Sequence, residues 1–322
     1  MTHSAKIDCV VVDGGARYGL HPTWADLRTI AQFHLFEMDA QEAERLRSKY
    51  KNDPMIAVYP MGLYREDTEL TFTVNEHRAL NSLFSVDDEM LKRNDYMRKA
   101  FSPLETKKVD VRSIDSFFEG KPIHFLKLDV EGAEYDVLCG ALDALRSSVL
   151  AVRAEVVFTP VYKDAAAFGD VHKLLIENGY ELLNFDYCGA GNKGGRFSLP
   201  GRYGKLISTD AVWTVNNERL FSTNGNTLRD DVVRMACFLL NNGATDLAVE
   251  ILQQAVSEKS ISFDDLQKDP LFNYLRRKIL LLFKSLLAHP MWSESDINSV
   301  YQQIFNSEFP TLNRFYESEM FS

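Results

Sequence analysis

The chain has 322 residues, of which 45% are hydrophobic and 25% charged, the balance of a folded protein, so disorder and low complexity are excluded. A net charge of −10 supplies no general field for nucleic acid, which makes duplex DNA and RNA poor candidates as substrates. No apolar run reaches the roughly 20 residues of a membrane helix, no signal peptide is visible, and Cys9, Cys139, Cys188 and Cys237 form no C-x-x-C pair; the expectation is a cytoplasmic protein with reduced thiols and no zinc site.

From residue 7 to about 215, short β-branched runs alternate with helical patterns, which predicts a doubly wound α/β domain with a mostly parallel sheet. The strands are expected at IDCVVVD (7–13), FHLFEMD (33–39), PMIAVYP (54–60), IHFLKLD (123–129), VLAVRAEVVF (149–158), YELLNFDY (180–187) and DAVWTV (210–215). Helices are expected over 40–50, 133–148 and 164–179, the last stopping at Asn178-Gly179. TELTFTV (68–74) and TKKVDVRSI (106–114) have the look of extra strands, an antiparallel edge or hairpin over the sheet. The glycine-rich segment 189–205 predicts a long mobile loop, either a solvated excursion or a lid over an acceptor. After FSTNGN (221–226) the apolar spacing becomes helical, as in Val232, Val233, Ala236, Leu239 and Leu240. The expected division is therefore 1–222 and a small all-helical domain over 223–322, which serves either to dock a partner or a second copy, or as a cap over apolar surface.

Three stretches carry chemistry. In VVVDGGARYG (10–19), a strand ending in Asp13 runs into Gly15 and Gly19, a turn whose backbone amides can approach a nucleotide-like cofactor closely. It is a poor NAD fingerprint, because Ala16, Arg17 and Leu20 stand where G-x-G-x-x-G needs glycine. Its D-x-G-x-x-x-G spacing resembles the first motif of Rossmann-like S-adenosylmethionine-dependent methyltransferases, with Arg17 in place of the middle glycine. In LFEMD (35–39), Glu37 ends the second strand 24 residues after Asp13, where a carboxylate can accept hydrogen bonds from both ribose hydroxyls of an adenosine cofactor. In HFLKLDVEGAEYDVLCGA (124–141), Asp129, Glu131 and Glu134 crowd the end of a buried strand. Acids favour a helix start, which accounts for Glu134 and in part for Glu131, but Asp129 needs a site, a cation or solvent.

With these stretches, and with NSL (81–83), VRSIDSFF (111–118), VRAEVVF (152–158) and TDAVWTV (209–215) in the same order, the chain resembles the FkbM-type methyltransferase family over roughly residues 8–215. The family commonly has asparagine where this chain has Arg17; asparagine tolerates left-handed backbone more easily, so either the turn relaxes or Arg17 makes contacts of its own, for example to the cofactor carboxylate. Residues 225–322 lie outside the resemblance. It implies a Rossmann-like methyltransferase sheet with an antiparallel last strand, S-adenosylmethionine as cofactor, and transfer to a hydroxyl of a sugar or glycan-type acceptor. Asp13, Gly15, Arg17, Gly19, Glu37 and Asp129 are then the cofactor-binding candidates.

Methyl transfer is an in-line displacement, so the protein must align the acceptor oxygen and remove its proton. Asp129, Glu131 and Glu155, on the rim where open α/β sheets bind ligands, are the candidate catalytic residues, as general base or as ligands of a divalent metal, with the metal-free base preferred. His172, between Val171 and Leu174, is expected to pack rather than touch substrate. Two rival functions stay open: a cofactor-binding or scaffold protein of the same fold without turnover, and an NAD-dependent sugar-modifying enzyme.

Overall fold

Valine-rich β1 (Val10–Gly14) is followed by β2 (Gln32–Phe36), β3 (Ile56–Tyr59), β4 (Gly62–Leu63), β5 (Thr68–Asn75), β6 (Pro103–Arg112), β7 (Phe125–Leu128), β8 (Ala151–Val157), β9 (Tyr180–Gly191) and β10 (Lys205–Val215). This computed structural model describes residues 6–92, 95–159, 161–191, 205–259 and 261–310. Residues 9–216 form one unit, and the described residues before 9 and after 216 form a second.

Seven strands make the main sheet in the order β3-β2-β1-β7-β8-β10-β9. The first five in that order are parallel, and β10 is antiparallel to both β8 and β9. All four residues of β7 are buried, as are Val11, Val12 and Asp13 of β1, because the central strands of a doubly wound sheet are covered on both faces. The strand order reverses between β1 and β7, and such a switch point opens a crevice at the carboxyl ends of the strands. Asp13 and Lys127 are paired positions across it.

The helix over Ala40–Tyr50 is started by Asp39, whose side chain accepts from the Gln41 amide. The single helix expected over 133–148 is broken into Glu134–Cys139 and Leu142–Ser147. A Cβ at Gly140 would lie 2.4 Å from the Tyr64 carbonyl oxygen, so a close backbone approach fixes the break.

The two extra strands pair antiparallel, as β5 and β6, but with β4 they form a separate three-stranded sheet and not an edge of the main one. Phe72, Val74, Val109 and Val111 bury one face of it against Met38 and Leu83. Residues 189–191 and 205, expected in a loop, belong to β9 and β10; residues 192–204 of that segment lie outside the described residues.

In the second unit, helices Gly225–Asn241, Thr245–Lys259, Pro270–Leu286 and Glu294–Phe305 form the expected helical C-terminal region around buried Val232, Ala236, Phe272, Ile279 and Tyr301. Buried Asp269 starts the third of these: one carboxylate oxygen accepts from Leu271 and Phe272, and the other from the Ile7 amide at 2.8 Å. Ile7 and Asp8 therefore belong with the helices, and β1 begins three residues later than its hydrophobic run. No helix among the described residues is long and apolar enough to cross a membrane.

Fully buried Trp213 of β10 donates through Nε1 to His172 Nδ1 at 3.1 Å, and His172 stacks on Phe168, so the histidine packs as expected. Trp213→Ala is expected to cost roughly 3–5 kcal/mol in urea unfolding. His172→Ala, which removes a half-buried ring, should cost less than half of that.

Candidate active site

The ends of β1 and β7 meet almost without space between them. Gly15, at φ +75°, lies so close to the next strand that a Cβ would stand 1.8 Å from the Asp129 carbonyl oxygen. The amides of Gly15 and Ala16 both donate to the Phe36 carbonyl at 3.0 Å, tying the turn to β2. Gly19, at φ +89°, leaves room for the Tyr50 hydroxyl, which accepts from the Leu20 amide at 3.0 Å. Arg17 is not among the residues with positive φ, so arginine at this position carries no left-handed strain. A short 3-10 helix, Pro22–Leu27, follows the turn.

A cavity of about 270 Å³ lies on this turn. At one end it is lined by Arg17, Tyr18, Glu37 and Met38, and at the other by Asp129, Glu131, Glu155 and Asp210, with Arg78, Asn81 and Leu83 along a side. Six of the eight candidate residues thus share one cavity: Gly15, Arg17, Glu37, Asp129, Glu131 and Glu155. Asp13 and Gly19 do not line it. Asp13 is fully buried beneath and meets the Lys127 ammonium at 3.1 Å, while Gly19 faces Tyr50.

Lys127 stands between two acids, 3.1 Å from Asp13 and 3.5 Å from Asp129. Burial works against its charge, but the two carboxylates outweigh it and raise the ammonium pKa. Burial raises Asp13, with Lys127 opposing. Glu37 is buried, and one of its oxygens accepts from the Asp39 amide at 2.8 Å. Burial pushes its carboxyl up to about 7, while the Asp39 amide and the Arg17 charge pull it down.

At the other end, Glu131 takes φ +55°, unusual for a residue with a side chain. Three side chains hold it there. The Glu134 carboxylate accepts from the Val130 amide at 2.8 Å and the Gly132 amide at 3.0 Å, Ser82 Oγ donates to the Glu131 carbonyl at 2.6 Å, and the Tyr162 hydroxyl donates to its carboxylate. Glu134 thus does more than start a helix: it closes the turn that aims Glu131. Asp129, Glu131 and Glu155 each offer an oxygen within 4.8 Å of the others, a spacing that a cation could bridge. Burial, then the neighbouring Glu155 and Asp129, push Glu131 well above the carboxylate range; burial and Asp129 push Glu155 up to about 8.

Sequence reasoning missed several participants. Asp210 of β10 pairs with Glu155 of β8 in register, and buried Arg153 bridges Asp186 at 2.6 Å and Asp210 at 3.4 Å. Asp210 stood in the quoted TDAVWTV stretch, and antiparallel pairing with VRAEVVF was the signal for it. Nothing in the sequence pointed to Tyr162.

The switch-point turn, the carboxylate after the second strand and the acids beyond the fourth parallel strand define a Rossmann-like α/β domain with its site at the strand ends. A family model, the methyltransferase FkbM domain, matches residues 13–182, more than half of the chain. The protein belongs to the FkbM methyltransferase family. The structure of methyltransferase FkbM from Methylobacillus flagellatus KT aligns at 16% identity over 63% of this chain and 43% of that one, with a TM-score of 0.37, so the chain spans under half of that protein. The magnesium protoporphyrin IX methyltransferase of Synechocystis PCC 6803, solved with bound SAM, aligns at 9% identity over 66% of this chain and 72% of that one, with a TM-score of 0.31. No curated protein sequence matches the chain.

The raised carboxyls make stability depend on pH with a definite sign. Glu37, Glu134 and Glu155 are held neutral in the fold to about 7, 7 and 8, against an ordinary 4.5. Their contribution is complete below pH 4.5 and is lost as pH rises through those folded values. The melting temperature of the ligand-free protein is expected to fall between about pH 5 and pH 8, and Glu155→Gln should flatten that fall. A pH-independent melting temperature would contradict the assignment.

Proposed function

We propose that the protein is an S-adenosylmethionine-dependent methyltransferase that methylates a hydroxyl oxygen of a sugar or glycan-type acceptor. The observation that carries this reading is a cavity with Glu37, the carboxylate just past the second strand, at one end and three crowded carboxylates at the other, in a chain of the FkbM family. The residues fit the cofactor: Gly15 presents bare backbone to the cavity, and the two oxygens of Glu37 suit a pair of vicinal hydroxyls. S-adenosylmethionine, when bound, supplies an activated methyl group.

The chain's own residues then have distinct tasks. Gly15 and the ribose-binding Glu37 fix the nucleoside. Lys127 holds Asp129 in place from below. Asp129, Glu131 and Glu155 receive the acceptor hydroxyl, and one of them takes its proton as the oxygen gains the methyl carbon. The spacing of 4.8 Å or less supports a second reading, in which the same three carboxylates hold a divalent cation that lowers the hydroxyl's pKa. We assign the enzyme to the cytoplasm, and assign the helical C-terminal region to docking a partner or a second copy.

S-adenosylmethionine is expected to raise the melting temperature while NAD leaves it unmoved. Glu37→Ala should weaken cofactor binding by about a hundredfold or more in calorimetry, the equivalent of two charge-assisted hydrogen bonds, and Glu37→Gln less. Parent-like binding by Glu37→Ala would remove it from the site. With an acceptor found by a labelled-methyl screen, Asp129→Asn should lower kcat by roughly 10²–10⁴ if a carboxylate is the base, with chelators inert. Loss of activity on chelation, restored by magnesium, would select the cation reading. Full activity of Asp129→Asn combined with Glu155→Gln would exclude both.

A further inference from the structure

Arg17, the residue by which the glycine turn departs from the family's usual asparagine, is built into the wall of the cavity at its Glu37 end. Its backbone carbonyl accepts from Arg45 at 3.2 Å, and Arg45 is itself held by Glu42 at 2.8 Å. Its guanidinium reaches Asp39 Oδ2 at 3.5 Å. Asp39 is buried and fully committed: Oδ1 accepts from the Gln41 amide at 3.1 Å to start a helix, Oδ2 faces Arg17, and the backbone amide donates to Glu37 Oε1 at 2.8 Å. A continuous chain of contacts therefore runs from Arg17 through Asp39 to Glu37. The charges facing Glu37 are Asp39 and Glu42, which repel its anion, and Arg17, which attracts it.

We propose that Arg17 is a positioning residue for the ribose-binding carboxylate: it pins Asp39, and through it the 37–39 segment, and supplies the positive charge beside Glu37. This rests on the cofactor reading above. An asparagine here can take part in the turn, but it brings no charge. Arginine in its place offsets two acidic neighbours, so that Glu37 can meet the ribose hydroxyls as an acceptor. The competing role is a direct grip on the carboxylate of the cofactor's amino-acid portion. The two differ in which ligands feel the loss of Arg17.

The test is calorimetry on the full chain with two ligands, S-adenosylhomocysteine and methylthioadenosine, which share the ribose but not the carboxylate, at about pH 6.5 and about pH 8.5. Arg17→Gln, or Arg17→Asn should the first not fold, is expected to weaken both ligands about tenfold at the lower pH and less at the higher one, where Glu37 ionises without help. Arg17→Lys should keep the parent's pH profile. Weakening confined to S-adenosylhomocysteine would overturn the proposal in favour of the direct grip, and parent-like binding of both ligands at both pH values would overturn it outright. Failure of the unsubstituted protein to bind either ligand would instead overturn the cofactor reading, and the proposal with it.

Discussion

The contact between Gly15 and the Asp129 carbonyl is the constraint on which the rest of the site depends. Two parallel strands can end side by side with a ligand seated across both only if the turn leaving one has no side chain toward the other, and a Cβ at 1.8 Å is forbidden outright. The same approach brings Asp13 and Lys127 into register under the turn. A buried ion pair of this kind is weak evidence for stability, because desolvation offsets most of the attraction. Its consequence here is geometric: the ammonium is shared between Asp13 and Asp129, so the buried acid beneath the glycine turn and the first acid after β7 are tied to one atom.

At the other end the fold holds a conformation that a free chain would avoid. Glu131 in the left-handed region costs on the order of 1–3 kcal/mol, and persists only where neighbours over-determine it. The Glu134, Ser82 and Tyr162 contacts do so from three separate segments of the chain, each satisfying a different group: the turn amides, the Glu131 carbonyl and its carboxylate. Crowding Glu131 against Asp129 and Glu155 then follows from backbone geometry, not from any attraction among the acids, which repel one another; burial and that repulsion raise Glu131 and Glu155 in pKa.

What could be read in the sequence follows from how local each signal is. Glu37 and Asp129 end predicted strands, and strand ends in a doubly wound sheet have one place to go, so the cavity's two ends were legible from periodicity and spacing. Asp39 was read only as part of a motif, because its linking role depends on three partners that converge on it in space. Tyr162 lies beyond β8 and reaches Glu131 by a path no spacing rule describes. The helix break at Gly140 and the late start of β1 at Val10 have the same origin: a tertiary contact, to the Tyr64 carbonyl in one case and through Asp269 to the Ile7 amide in the other, overrode a continuous local pattern. The small sheet was half legible, since alternation gave its strands but not the separation from the main sheet.

The charges at the two ends of the cavity follow different logic. At the Glu37 end Arg17 faces Asp39 at 3.5 Å and its charge acts on Glu37 against those of Asp39 and Glu42. At the acid end Lys127 pairs with Asp13 and Asp129 and Arg153 with Asp186 and Asp210, and among the described residues neither Glu131 nor Glu155 is paired with a lysine or arginine. In the proposed reaction S-adenosylmethionine, when bound, would supply the activated methyl group and a positive charge, and one of these carboxylates would take the acceptor's proton. Burial and Asp129 raise the Glu155 carboxyl to about 8, so Glu155 would hold a proton taken from the acceptor more firmly than an ordinary carboxyl does.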